Sequence, residues 1–210
     1  MEIILEGISK RFKRNRVLKE IDLGIESGDH VAILGSNGSG KSTLLRILSG
    51  FSTPSNGTIK HKVAGEFIPL ESVPRRMFHV APYIDLYTAF NLKESLDFHF
   101  SLREYRDGWN KERVMEALKL PAKRALDTFS SGMLQRVRIA LAWATESDCL
   151  LFDEVGMNLD SQGIDWFNQG LNDHLGNRTV IIASNQEEQE TTSCLRRFRI
   201  QEGRIVDESA

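Results

Sequence analysis

The stretch GSNGSGKSTLL, residues 35–45, decides the fold that we predict for this chain. It follows the apolar run HVAIL, leads into leucines, and matches the pattern G-x-x-x-x-G-K-[ST]. The glycines let backbone N–H groups curl around phosphate oxygens, while the helix that follows directs its positive N-terminal end at the same charge. The stretch therefore predicts a phosphate-binding loop between a buried strand and a helix, and this setting disfavours an ordinary glycine-rich turn.

Each residue type in this loop has an expected task if the ligand is a nucleotide. Lys41 would neutralise the β- and γ-phosphates, Ser42 would ligate Mg²⁺, and Thr43 would contact an outer phosphate. The predicted nucleotide-binding residues of the loop are Gly35, Ser36, Asn37, Gly38, Ser39, Gly40, Lys41, Ser42 and Thr43.

Three short apolar runs predict the central sheet: HVAILG (30–35), CLLFDE (149–154) and TVIIAS (179–184). Each is nearly continuous in apolar residues, which is typical of a strand covered on both faces. Each precedes polar residues and a predicted helix, and this alternation indicates a parallel α/β sheet with ligands outside the carboxyl ends of its strands.

The other segments indicate structures added to that sheet. IILE and IDLGI, near the N-terminus, predict strands, with the basic run KRFKRNR between them as a solvated hairpin. Residues 86–128 have helical spacing with no strand between, which predicts a helical insert. The tail LRRFRIQEGRIVDE predicts a closing hairpin with a Glu-Gly turn.

Two adjacent carboxylates end the second apolar run. Asp153 is the predicted metal residue, and Glu154 is the predicted catalytic base that orients and deprotonates an attacking water. A solvated strand end would be the alternative if the pair stood alone, but the phosphate loop on a neighbouring strand favours the chemical role.

The stretch FSSGMLQRVRIALAWA, residues 129–144, begins with Ser-Ser-Gly and continues as an apolar helix. Ser130 is a predicted N-cap, and Gly132 would let another group approach the helix N-terminus closely. Taken alone, this pattern is only a helix start.

The order of these motifs resembles that of the nucleotide-binding domains of ATP-binding-cassette (ABC) transporters, from Ile3 to about Asp207. The resemblance implies a P-loop NTPase of class α/β, with a RecA-like parallel sheet core, an N-terminal antiparallel β subdomain and a helical insert. It implies one domain over residues 1–210, with the helical subdomain at about 86–130.

In that family two domains sandwich two ATP molecules, and each domain's signature motif faces its partner's ATP. The resemblance assigns that role to Ser130, Ser131 and Gly132, and places Phe12 against the adenine, although Phe12 could instead be a core residue of the hairpin. The NLD stretch ending at Asp160 resembles the loop that connects the two sites.

The chain departs from the family pattern at three places. Pro82 stands where a glutamine usually senses Mg²⁺ and water, and the first glutamine in the whole chain is Gln135. Asn185 replaces the histidine that contacts the γ-phosphate, so an amide donor would take that nucleotide-binding role. Val155 and Gly156 replace the usual Pro-Thr after the glutamate.

These departures leave two hypotheses. The chain is either a slow ATPase, since its proposed base is retained, or an ATP-driven dimerisation switch with little hydrolysis. Losing one preorganised donor to the reacting phosphate would cost a factor of roughly 10²–10³ in rate.

A small-molecule kinase is a second class of function, but it would need neither the adjacent carboxylates nor the signature-like helix start. An ATP-sensing interaction protein without turnover is a third.

The composition of the chain limits the kinds of partner and the location that we expect. The net charge of −2 gives no electrostatic case for nucleic acid, the two cysteines make no disulfide framework, and no window approaches the roughly 18 apolar residues of a membrane span. Composition therefore predicts a cytoplasmic protein, and the resemblance implies that it reaches the membrane through an integral transporter subunit. It would pair with a second nucleotide-binding domain, either itself or a paralogue. The motif FSSGM and the compact chain resemble small bacterial exporter subunits of the haem-exporter type.

Overall fold

The computed structural model describes residues 1–185 and 189–209, and within them it forms two β-sheets with helices packed around the larger one. That larger sheet has six strands in the order β10-β9-β3-β8-β7-β6. Its strands are β3 (His30–Leu34), β6 (Met77–Val80), β7 (Cys149–Asp153), β8 (Thr179–Ser184), β9 (Arg196–Gln201) and β10 (Arg204–Asp207).

Parallel pairing brings the ends of the central strands to one edge. Leu34 at the end of β3 pairs with Ser184 at the end of β8, and Asp153 at the end of β7 pairs with Ala183. The strands predicted from the three apolar runs are confirmed, because β3, β7 and β8 fall within them and are adjacent in the sheet. The closing hairpin is also confirmed, as β9 and β10 pair antiparallel.

The smaller sheet is antiparallel, in the order β2-β1-β4-β5. Its strands are β1 (Glu2–Phe12), β2 (Asn15–Ile25), β4 (Asn56–Val63) and β5 (Glu66–Ile68). The solvated hairpin predicted at KRFKRNR is confirmed: β1 and β2 pair antiparallel around the turn at Lys13 and Arg14, and residues 11–16 are exposed. Its long charged side chains reach solvent from the strand ends, which is why the basic composition predicted a solvated hairpin.

Helices cover both faces of the six-stranded sheet. They are α1 (Lys41–Leu48), α2 (Val73–Arg76), α3 (Leu92–Leu102), α4 (Lys111–Leu118), α5 (Ser131–Ala144) and α6 (Ser161–His174). Short 3₁₀ turns cover Leu70–Ser72, Leu126–Thr128 and Val155–Asn158. Helices α3 and α4 occupy the segment predicted as a helical insert. Asn91 begins α3 with a reciprocal capping box to Glu94, which satisfies two backbone donors that a helix start leaves unpaired.

The central sheet separates two apolar clusters, because successive strand residues point to opposite faces. On β3, Ala32 and Leu34 face one cluster, with α5 and the helical insert, while Val31 and Ile33 face the other, with α1 and the smaller sheet. All four are essentially buried. Burial on both faces explains the continuous apolar runs from which the sheet was predicted.

Close packing of α6 against α5 depends on a glycine. A methyl group at Gly170 would overlap the ring of Trp143, which is 1% exposed. We expect Gly170→Ala to lower the free energy of unfolding by about 1–3 kcal/mol, since overpacking forces side chains off their rotamers. Urea unfolding of Gly170→Ala and of a control variant would measure the loss of stability. Gly24→Ala in β2 is the control, because nothing lies within 4 Å of the added methyl. Equal stability of the two variants would contradict this account.

Candidate nucleotide-binding site

The loop between β3 and α1 is shaped by glycines that other residues could not replace. Gly40, the N-cap of α1, has φ 115°, and a Cβ there would lie 2.8 Å from Leu18 Cδ2. Gly35 has φ 147°, and its Cβ would lie 2.8 Å from the carbonyl oxygen of Ile200. The smaller sheet and the β9–β10 hairpin therefore press on the loop and hold its curvature.

Lys41 lies at the centre of the site and is only 4% exposed. Its ammonium donates to the carbonyl oxygens of Gly35 at 2.8 Å and Ser36 at 3.3 Å, and forms an ion pair with Glu154 Oε1 at 2.9 Å. The predicted phosphate-binding lysine and the predicted base are thus direct partners. An incoming phosphate would have to compete with the Glu154 carboxylate for the same ammonium.

Asp153 is 1% exposed, and neither carboxylate oxygen has a hydrogen-bond partner of normal geometry among the residues that the structure describes. Burial raises the pKa of this carboxyl, while the neighbouring Ser42 hydroxyl lowers it. A buried, unpaired carboxylate beside a hydroxyl fits a small cation such as Mg²⁺, which prefers oxygen ligands. The two predicted metal residues therefore lie together.

A cleft of about 520 Å³ opens over the loop. Phe12 borders it with a ring 51% exposed, so the alternative that Phe12 is a core residue is wrong. The residues around the cleft are Phe12, Val17, Asn37, Gly38, Gly40, Lys41, Ser42, Thr43, Glu154, Met157 and Asn185. Most of the predicted nucleotide-binding set thus surrounds one cavity, with an exposed aromatic face at its rim.

Asn185, immediately after β8, donates from Nδ2 to Asn37 Oδ1 at 2.8 Å, across the phosphate loop. One of its two amide hydrogens is therefore engaged within the protein. An amide nitrogen carries a second hydrogen, which is the donor that a phosphate would require of Asn185.

The Ser-Ser-Gly segment lies at the start of α5 and does not border this cleft. The N-cap predicted at Ser130 is confirmed, since its hydroxyl accepts from the Met133 N–H at 3.2 Å. A Cβ at Gly132 would lie 2.9 Å from the carbonyl oxygen of Asn158. The close approach predicted at Gly132 is thus made by the same chain, through the turn that follows Glu154.

Two residues near the site were missed by sequence reasoning. Tyr83, next to Pro82, packs its ring under the guanidinium of Arg46 at 3.9 Å and lies close enough to Asp153 to affect its pKa. Glu190 is 2% exposed and lies against Gly156. An aromatic in a loop and a glutamate in an acidic run both predict solvated residues, so composition carried no signal. The unusual Gly156 was the one available hint for Glu190.

A glycine-rich loop opening a helix beside a parallel strand that ends in Asp-Glu defines a P-loop NTPase. Residues 18–156 match the family model described as "ABC transporter". The chain therefore belongs to the ABC transporter family, and the predicted fold class is confirmed.

Named relatives and solved structures agree with that assignment. The chain is 34% identical over 198 residues to the sulfate/thiosulfate import ATP-binding protein CysA of Thermosynechococcus vestitus, covering 90% of this chain and 58% of that protein. It is 31% identical over 208 residues to a probable metal transport system ATP-binding protein of Treponema pallidum, covering 96% of this chain and 83% of that protein. The chain thus spans little more than half of the first relative.

Among solved structures, the dimeric post-hydrolysis state of the ATP-binding cassette MJ0796 bound to ADP and Pi superposes with a TM-score of 0.83 at 22% identity. The alignment covers 99% of this chain and 98% of that one. At this identity the likeness supports the fold alone. Within the described residues, no helix is both long enough and apolar enough to cross a bilayer.

The ion pair between Lys41 and Glu154 generates a prediction about affinity. Glu154→Gln removes the carboxylate that competes for the ammonium. Exposed ion pairs contribute up to about 1 kcal/mol, and this pair is largely buried, so we expect ATP to bind at least about fivefold more tightly. Titration with a fluorescent ATP analogue would measure the change. Glu66→Gln, an equal charge change at an exposed strand residue, should leave affinity unchanged. Unchanged or weaker binding in Glu154→Gln would contradict competition by this carboxylate.

Proposed function

We propose that this chain is the ATP-binding, slowly ATP-hydrolysing subunit of a membrane transporter. The observation that carries the proposal is the convergence of Lys41, Asp153 and Glu154 at the ends of β3 and β7. An ammonium, a metal-binding carboxylate and a separate basic carboxylate are the groups that phosphoryl transfer to water requires.

In this proposal each residue has one task. ATP displaces Glu154 from Lys41, and the ammonium then contacts the β- and γ-phosphates. Ser42 and Asp153 hold Mg²⁺, which supplies charge neutralisation on the phosphates when bound. The freed Glu154 orients a water and accepts its proton during attack on the γ-phosphate. The other loop residues, from Gly35 to Gly40 and Thr43, hold the phosphates, and Phe12 stacks on the base.

The proposed site is completed by a second nucleotide-binding domain. Ser130, Ser131 and Gly132 begin a helix of 14 residues outside the cleft, so they can present their N–H groups to a nucleotide held by another chain. Asp160 caps α6 through the Gly163 N–H at 2.8 Å, which fixes the end of the connecting loop. ATP binding would close the dimer and hydrolysis would reopen it, over a single domain of residues 1–210 with a helical part at about 86–130.

Slow rather than absent hydrolysis is proposed because the base is retained while two usual donors are changed. Asn185 can still donate one amide hydrogen, but it carries no positive form, and Pro82 has no side-chain donor. The competing hypothesis is a dimerisation switch with no turnover. A small-molecule kinase is disfavoured, since a kinase would place no second carboxylate against the phosphate-binding lysine.

Phosphate release from Mg-ATP at several protein concentrations tests these hypotheses. We expect a rate that rises faster than linearly with protein, since the active form is a dimer. Glu154→Gln should lower that rate by a factor of roughly 10²–10⁴, the usual contribution of a general base. Background release by the wild type with intact ATP binding would favour the switch. Turnover only with an added phosphate acceptor would favour the kinase.

The partner surface is proposed at the loop after β6 and the start of α3. Tyr87 is 65% exposed, and its ring contacts Phe98, itself 39% exposed, with centroids 5.1 Å apart. Adjacent exposed aromatics are typical of interface anchors. The names of the relatives refer to the transport of sulfate, thiosulfate and metals. The haem-exporter subtype predicted for this chain stays a prediction. The proposed setting is the cytoplasmic face of a membrane.

We expect Tyr87→Asp to abolish capture of an integral membrane protein in pull-down from detergent-solubilised membranes, because a charge would be buried in the interface. Phe67→Asp is the control, since Phe67 is 63% exposed on β5 of the other sheet. Undiminished capture by Tyr87→Asp, or equal loss in both variants, would count against this surface.

A further inference from the structure

Glu190 is a buried carboxyl group to which the proposed mechanism gives no task. It is 2% exposed, although glutamate is rarely buried without a partner. Its Oε2 has no hydrogen-bond partner within the described part of the chain. Just before it, the carbonyl oxygen of Gln189 accepts from Asn168 Nδ2 at 2.8 Å, which ties this segment to α6.

The carboxylate of Glu190 occupies the space that a side chain at residue 156 would need. A Cβ built on Gly156 would overlap Oε1 and lie 2.6 Å from Cδ. Burial raises the pKa of the Glu190 carboxyl above its usual value; the Ser184 hydroxyl and the Gly156 N–H oppose that shift, and the nearby Glu154 charge adds to it. Any residue larger than glycine at 156 would therefore expel Glu190 from this position.

Gly156 belongs to the turn that starts at the proposed base. Glu154 has φ 51°, a left-handed conformation that costs free energy for a residue with a side chain. Its N–H donates to the Ala183 carbonyl at 2.9 Å, and its own carbonyl accepts from the Met157 N–H at 3.1 Å. Gln135 Nε2 donates to the Val155 carbonyl at 2.9 Å. A backbone of this kind persists only if its surroundings hold it.

We propose that Glu190 is a positioning residue for Glu154: its carboxylate fills the place beside Gly156 and fixes the turn that aims the base. The inference rests on the proposed hydrolysis. Glu190 contacts neither metal nor nucleotide in this account, and it acts only through the backbone of residues 154–156. Its oxygen matters as a hydrogen-bond acceptor of defined size, so an amide of the same shape should replace it.

The test compares Glu190→Ala, Glu190→Gln, Gly156→Thr and the double variant Gly156→Thr/Glu190→Ala, with Glu66→Ala as an exposed control. For Glu190→Ala we expect kcat to fall about tenfold or more with KM for ATP within about twofold, because a misaimed base affects the transition state and leaves ground-state binding. Glu190→Gln should recover at least a third of the wild-type kcat. Gly156→Thr should lower both kcat and Tm, and removal of Glu190 from that variant should restore Tm.

Each outcome decides the inference. Wild-type kcat in Glu190→Ala, equal losses in Glu190→Ala and Glu190→Gln, or additive losses in the double variant would each overturn it while leaving the proposed hydrolysis intact. A wild type that binds ATP without releasing phosphate would overturn the proposed hydrolysis, and the positioning role with it. The two failures are therefore told apart by the wild-type rate alone.

Discussion

The ion pair between Lys41 and Glu154 is the interaction on which the arrangement of the site depends. It joins the loop after β3 to the end of β7, two strands that are not neighbours, with β8 lying between them. Burying a carboxylate and an ammonium costs desolvation, so such a pair is retained only where its geometry is well supported. Here two backbone carbonyls satisfy the remaining ammonium hydrogens. The two charges therefore neutralise each other, and in the proposed mechanism an incoming phosphate would replace the Glu154 carboxylate at the ammonium.

The sheet makes this pair possible. Because β3, β8 and β7 run parallel and in register, residues far apart in sequence end at one edge. Apolar side chains bury both faces of the sheet beneath that edge, and this low-dielectric surrounding strengthens the electrostatic interactions there. The phosphate loop, the acidic strand end and Asn185 meet for this topological reason, and the smaller sheet adds Phe12 from outside.

Local motifs could be predicted from the sequence, whereas contacts between residues far apart in the sequence could not. The loop around Gly40 is specified by residues within about ten positions along the chain, and so is the strand that ends at Asp153. Sequence patterns therefore predicted both. Strand β4 was missed because NGTIKHKV is largely polar, and β5 was missed because EFI has only three residues. The burial of Glu190 depends on Gly156, 34 positions earlier, and that dependence exists only in the folded chain.

The contact between Gly132 and the Asn158 carbonyl has a consequence for communication between sites. The helix start that would face a neighbouring chain and the turn that follows the proposed base touch without an intervening side chain, and Gln135 adds a buried hydrogen bond between the same two segments. Because backbone atoms meet directly at this contact, no change of side-chain rotamer there can absorb a shift of either segment. A displacement of Glu154 would therefore shift the start of α5, the surface proposed to contact the partner's nucleotide. In a symmetric pair, each half would sense its partner's nucleotide through this backbone contact and the Gln135 hydrogen bond.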